Sequence, residues 1–192
     1  MDIRTYKNEL RAMYSEKRNS LPTDEKTKLD DKIANRFLNM LSYRYANQIL
    51  FYASTDAEIS TVSIFEQALK AGKACYFPKC YENSQMSFYR VNSPDELVTD
   101  AFNIKAPVNE SDIYTPQPSD IIIVPAMAYD VKGFRLGYGK GYYDRYLSRY
   151  EGSTVGICYE ENITEELFHG KYDRAVDLVL TEKHITVIEM EV

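Results

Sequence analysis

The run Asp120-Ile121-Ile122-Ile123-Val124-Pro125 constrains the fold more than any other stretch of the chain. Consecutive β-branched residues do not alternate between water and core. A short apolar run of this kind suits a strand covered on both faces. Such a strand needs a layer of structure on each side, and the rest of the chain must supply those layers.

Amphipathic patterning supplies them. Ile3, Leu10, Met13 and Tyr14 sit among Lys, Arg and Glu and predict a helix from Ile3 to about Arg18. Leu21-Pro22-Thr23-Asp24 ends it and caps a second helix from about Glu25 to Leu41, whose apolar stripe is Leu29, Ile33, Ala34, Phe37, Leu38 and Leu41. Gln48 to Ala53 reads as a buried strand, Thr61 to Ala71 as a helix stopped by Gly72, and Ala74 to Phe77 as the next strand. Met86 to Val91 alternates like an edge or antiparallel strand. Asn92 to Ser119, rich in Pro, Asn, Asp and Ser, predicts a long loop with a short helix around Asp95 to Val98. After the strand at 120–125 come a helix from about Tyr142 to Tyr150 and two last strands, Thr154 to Cys158 and Asp177 to Thr181. Strands alternating with helices imply an α/β fold with a mainly parallel, doubly wound sheet.

At 192 residues, 44% hydrophobic and 27% charged, the chain has the balance of a folded globular protein, and one domain spanning 1–192 is the expectation. A formal charge of −6 argues against a nucleic-acid partner, while leaving room for a local basic pocket. Cys75, Cys80 and Cys158 lack C-x-x-C spacing, which favours reduced thiols and a cytoplasmic location over disulfides or a thiolate zinc site. No window approaches the roughly 18 apolar residues of a membrane span, and the N-terminus has no apolar signal core. The expected protein is cytoplasmic, binds no membrane, and is a monomer or weak homo-oligomer.

Chemistry concentrates in Phe134-Arg135-Leu136-Gly137-Tyr138-Gly139-Lys140-Gly141-Tyr142-Tyr143-Asp144. Glycines at alternate positions let backbone N–H groups turn inward around a ligand. With Arg135 and Lys140 beside them and a helix start next door, they suit a polyphosphate cradle. The stretch is neither a Walker A loop nor a dinucleotide fingerprint. On spacing alone it reads equally as a tight turn with two solvated charges, and Asp144 as an acid favoured in the first turn of a helix. His169 and His184 belong to no nucleophilic or metal-binding pattern.

Arg135 to Asp144, followed by Arg145-Tyr146-Leu147, closely resembles the R-L-G-x-G-x-G-Y-Y-D-x-x-L signature of 5-formyltetrahydrofolate cyclo-ligases. Lys7-x-x-x-Arg11, Glu58-Ile59-x-Thr61, Tyr76-Phe77-Pro78-Lys79, Asp120 to Pro125 and the ending Tyr172-Asp173 to Glu182 fit the same family in order. Tyr138 stands where some members have Arg, and Phe168 and Tyr172 replace a Pro and a His of many bacterial members.

The resemblance implies a three-layer α/β/α sandwich with a mostly parallel sheet, similar to the phosphosugar-isomerase and CoA-transferase group. It implies ATP-dependent closure of 5-formyltetrahydrofolate to 5,10-methenyltetrahydrofolate, with Mg²⁺ as cofactor. Lys140 and Arg135 would act at the reacting phosphate. Lys7, Arg11, Arg135, Gly137, Gly139, Lys140, Gly141, Tyr142 and Tyr143 would bind ATP. Glu58, Tyr138 and Tyr142 would hold the folate, and Asp144 and Asp173 the metal. A phosphosugar isomerase or CoA-ester enzyme on a related sheet, or a nucleotide- or folate-binding module without turnover, remain the alternatives.

Overall fold

The computed structural model describes residues 3–100 and 104–189. Two long helices, α1 (Ile3–Asn19) and α2 (Thr23–Leu38), and a short α3 (Leu41–Tyr45) precede β1 (Gln48–Leu50). Then come α4 (Val62–Lys70), β2 (Ala74–Cys80), β3 (Met86–Arg90), β4 (Leu97–Thr99), β5 (Lys105–Pro107) and β6 (Ile121–Pro125). The chain continues through β7 (Ala128–Asp130), β8 (Arg135–Leu136), α5 (Tyr142–Leu147), β9 (Ser153–Ile157), β10 (Ile163–Thr164), β11 (Leu178–Leu180) and β12 (Ile185–Val187).

Seven strands form one sheet in the order β12-β11-β9-β6-β1-β2-β3. The five inner strands run parallel, and antiparallel β12 and β3 close the two edges. From β1 the chain passes to β2 on one side and later to β6 on the other, so the winding reverses between β1 and β6. In such sheets the crevice at the carboxyl ends of the strands flanking the reversal is where ligands bind.

The β6 run sits at the centre, as its composition requires. Ile121 and Ile123 pack into one cluster with Ile33 and Phe37 of α2 and Ile64 and Phe65 of α4. Ile122 and Val124 face the other way, onto Tyr129 and onto Leu147 of α5. Burial of each such side chain contributes about 1.5–3 kcal/mol. The second face is covered by α5 and by the small sheet β10-β7-β8, which contributes Tyr129 and Ile163 to that cluster. Tyr14 of α1 packs on that small sheet with Met127, Ala128 and Leu136.

Several boundaries differ from the pattern reading. The helix expected to reach Leu41 ends at Leu38, and Asn39 N–H closes it onto Asn35 O at 3.2 Å. The strand expected through Ala53 pairs in the ladder only as far as Leu50. Beyond it side chains take over: Tyr52 Oη donates to Ile59 O at 2.6 Å and Thr61 Oγ1 to Tyr52 O at 2.9 Å. The segment 92–119 is not a plain loop. The short helix expected around Asp95 to Val98 is present as a 3-10 helix at Pro94–Glu96, and from Leu97 the chain is extended, β4 pairing antiparallel with β5. Residues 101–103 of that segment lie outside the described residues. The helix expected to reach Tyr150 ends at Leu147, and β12 follows the strand expected to be last.

Candidate active site

A cavity of about 570 Å³ opens at the reversal point. Tyr52 and Ala53 line it just beyond β1, and Pro125 lines it at the end of β6. Lys7, Arg11 and Arg18 reach it from α1, and the stretch from Arg135 to Asp144 forms another wall. Its charged lining comprises five cations (Lys7, Arg11, Arg18, Arg135, Lys140) and three carboxylates (Glu58, Asp144, Asp173). A chain of net charge −6 therefore carries a locally cationic cavity.

The glycines do two distinct things. Gly139 and Gly141 have φ of +86° and +70°, a left-handed backbone that side chains with a Cβ rarely adopt. Gly139 also leaves room for Arg11, whose Nη2 would stand 3.0 Å from a Cβ there. Arg11 Nε donates to Gly137 O at 2.7 Å, so a residue of α1 braces the glycine stretch. With only six residues, α5 adds little dipole, and the cationic side chains must carry the attraction for anions.

Within the cavity lining cations and carboxylates pair. Arg135 Nη2 donates to Asp144 Oδ1 at 2.6 Å and its Nη1 to Arg174 O at 2.9 Å. Lys7 Nζ meets Asp173 Oδ2 at 2.6 Å, and Gly170 N–H donates to the same oxygen at 2.9 Å. Burial pushes the Asp173 carboxyl up, but Lys7, Gly170 and Arg135 outweigh it and hold the group below its ordinary value. Among the described residues no hydrogen bond engages Asp144 Oδ2 or Asp173 Oδ1, and both side chains line the same cavity.

Glu58, also in the lining, is buried. Its Oε2 accepts from Thr55 N–H at 2.9 Å and Thr55 Oγ1 at 3.0 Å, and its Oε1 accepts from the Tyr138 hydroxyl at 2.6 Å. Tyr138 is half exposed, yet burial of its hydroxyl and the adjacent Glu58 charge push its pKa up. The Tyr143 hydroxyl is buried without a partner among the described residues, while Tyr142 Oη donates to Tyr81 O at 3.1 Å. Lys140 lies exposed between Gly139 and Gly141.

All the residues singled out from sequence thus line one cavity, although they come from stretches as far apart as Lys7 and Asp173. Arg18, Tyr52, Thr55 and Cys80 also line it and were missed. Arg18 had a readable signal: it follows Arg11 by seven positions and so shares its helix face. Tyr52 and Cys80 had none, because strand ends look like the strands they end.

A sequence model of the 5-formyltetrahydrofolate cyclo-ligase family matches residues 3–182. The chain belongs to that family. It is 27% identical to the mouse 5-formyltetrahydrofolate cyclo-ligase, with 94% of this chain and 95% of that one covered. It is 27% identical to the Escherichia coli K12 protein of the same name, covering 90% and 98%. Among solved structures, the 5,10-methenyltetrahydrofolate synthetase of Aquifex aeolicus superposes with a TM-score of 0.84 at 34% identity, covering 96% of this chain and 94% of that one. The Mycoplasma pneumoniae synthetase gives 0.75 at 26%, covering 92% and 98%. Membership of this family favours ligase chemistry over the isomerase and CoA-ester alternatives.

Proposed function

We propose that this chain closes 5-formyltetrahydrofolate to 5,10-methenyltetrahydrofolate at the expense of ATP, releasing ADP and phosphate. The observation that carries the reading is the single cationic cavity into which Lys7, Arg11, Glu58, the 135–144 stretch and Asp173 converge. Its volume is of the order that small-ligand sites occupy.

A formyl amide is a weak electrophile and its oxygen a poor leaving group. The formyl oxygen attacks the γ-phosphorus of ATP, the bond to the bridging oxygen breaks, and ADP departs. N10 then attacks the activated formyl carbon, inorganic phosphate leaves with the former formyl oxygen, and the N10 proton is lost as the ring closes. Little covalent work falls to the protein, so positioning and charge neutralisation dominate.

The arrangement of charge divides the cavity. Lys7, Arg11, Lys140 and Arg135 hold the triphosphate end, with the backbone of Gly137, Gly139 and Gly141 beside it in the lining. Arg135 acts in part through Asp144, which it orients by the 2.6 Å bond. Glu58 and Tyr138 hold the folate, because a carboxylate accepts from pterin N–H groups and repels phosphate. Tyr142 serves both substrates and Tyr143 the ATP, and both line the cavity.

No group of three His, Cys, Asp or Glu side chains suited to a metal exists among the described residues. The free oxygens of Asp144 and Asp173 fit a magnesium ion, which commonly takes one or two carboxylates and completes its shell with phosphate oxygens and water. Bound there, Mg²⁺ supplies charge neutralisation of the phosphates.

The test is the absorbance of the methenyl product, followed with and without ATP and Mg²⁺. Formation that requires both supports the reading. ATP-independent formation, or none, defeats it.

A further inference from the structure

Arg18 has no part in the phosphate chemistry above, yet its guanidinium reaches the folate end of the cavity. Its Nη2 donates to the Tyr138 hydroxyl at 3.1 Å, and that hydroxyl donates onward to Glu58 Oε1 at 2.6 Å. The direction is forced. A guanidinium only donates and an ionised carboxylate only accepts, so the hydroxyl between them points its proton at Glu58. With the two bonds from Thr55, three of the roughly four lone-pair sites on Glu58 are taken. The relay therefore decides where the remaining acceptor site faces.

A second observation lies behind the relay. Arg18, Tyr52, Glu58, Met127, Tyr159 and Asn162 bound a space of about 10 Å³. That is close to the room one water molecule needs. Its wall includes a donor and an acceptor, Arg18 Nε and Asn162 Oδ1, each buried without a partner among the described residues. Asn162 Nδ2 is committed to Met127 O at 3.2 Å, which holds the amide in place.

We propose that Arg18 is a positioning residue for the folate: anchored from behind through one bridging water shared with Asn162, it aims Tyr138 at Glu58 and fixes the carboxylate that meets the substrate. The inference rests on the cyclo-ligase reading of the cavity. Arginine suits the task because its planar fork offers separate Nε and Nη donors in fixed directions. A lysine, with one nitrogen on a flexible stem, serves one side at a time.

The experiment compares Arg18→Ala, Arg18→Lys, Tyr138→Phe and the double variant Arg18→Ala/Tyr138→Phe. It measures melting temperature, calorimetric binding of 5-formyltetrahydrofolate and of ATP, and turnover. Each single removal should weaken folate binding or lower folate kcat/KM about tenfold, the scale of a lost hydrogen bond to a charged group. ATP affinity should stay within about twofold, since no phosphate ligand is removed. The double variant should be no worse than the poorer single one, because both cut the same relay. Arg18→Lys should fail to restore wild-type affinity.

Additive losses, full rescue by lysine, or a loss confined to ATP would overturn the proposal. A crystal structure should show one ordered water within hydrogen-bond distance of Arg18 Nε and Asn162 Oδ1, and a niche without it would overturn the anchoring. The folate binding arm stands apart from the reaction. A wild type that binds folate without forming product defeats the proposed function, whereas an active wild type with an unaffected Arg18→Ala defeats only this inference.

Discussion

Lys7 Nζ lies 2.6 Å from Asp173 Oδ2, tying the first helix to a loop 166 residues later. Both side chains are mostly shielded, at 18% and 27% exposure, and both line the cavity. The bond brings a cation and a carboxylate from opposite ends of the sequence to the triphosphate end of the proposed site.

The pair has a pH signature. The folded Asp173 carboxyl titrates below its ordinary 3.8, so its contribution to stability is complete above that value and disappears as pH falls through the lower folded value. Asp173→Asn should therefore melt below wild type at neutral pH, by about 1 kcal/mol or less for a partly exposed pair. The difference should close in strong acid. Parallel thermal melts across pH check it, and a gap that widens below pH 3.8 would contradict the direction of the shift.

Lys140→Ala removes a cation from the rim without touching the core. Loss of a charge-assisted contact costs about 1.5–3 kcal/mol, or roughly tenfold or more in ATP affinity or turnover. The melting temperature should stay near wild type because the side chain is exposed. Unchanged kinetics would remove Lys140 from the phosphate ligands.

Gly156 of β9 tests the fold rather than the site. A Cβ there would run into the Tyr129 ring, whose hydroxyl donates to Val124 O at 3.0 Å and seats the small sheet on the large one. Gly156→Ala should destabilise by about 1–3 kcal/mol through overpacking, read as a lower melting temperature. Native stability in that variant would show that Tyr129 yields without cost.

Much of this architecture is legible in the sequence. The β6 run belongs at the centre because four β-branched residues in succession require cover on both faces, and Ile121 to Val124 are fully buried. The glycine stretch is legible because alternate glycines mark a backbone that must turn tightly or meet a ligand closely, and Gly139 and Gly141 do adopt positive φ. Short elements are not legible. The two residues of β8 and the two of β10 are too short to show a period of two, and they exist through pairing with β7, which no local pattern encodes. Arg135 is legible as a cation but its engagement with Asp144 is not, since the partner of a charged side chain is a property of tertiary structure. Cys80 enters the lining unannounced, where burial pushes its thiol up to about 11 and leaves it a space-filling residue at neutral pH.

Glu58 separates a folate enzyme from a generic nucleotide site. It is buried, held on one oxygen by Thr55 and on the other by Tyr138 at 2.6 Å, and it lines the same cavity as the Lys7–Asp173 pair. Glu58→Gln keeps the shape and a carbonyl acceptor, but turns one oxygen into an NH₂ that only donates. With its carbonyl toward Thr55 the amide keeps those two bonds, but its NH₂ then faces Tyr138, whose hydroxyl must accept instead of donate, and the acceptor site that remained on that oxygen becomes a donor. A misplacement of about 1 Å at a positioning group costs on the order of a hundredfold in rate. Methenyl formation should fall by about that much, while ATP affinity measured by calorimetry stays within about twofold, because no phosphate ligand has changed. Loss of ATP affinity with folate binding intact would reverse the assignment and put the nucleotide at the Glu58 end. Full activity would reduce Glu58 to an acid that braces the Thr55 turn.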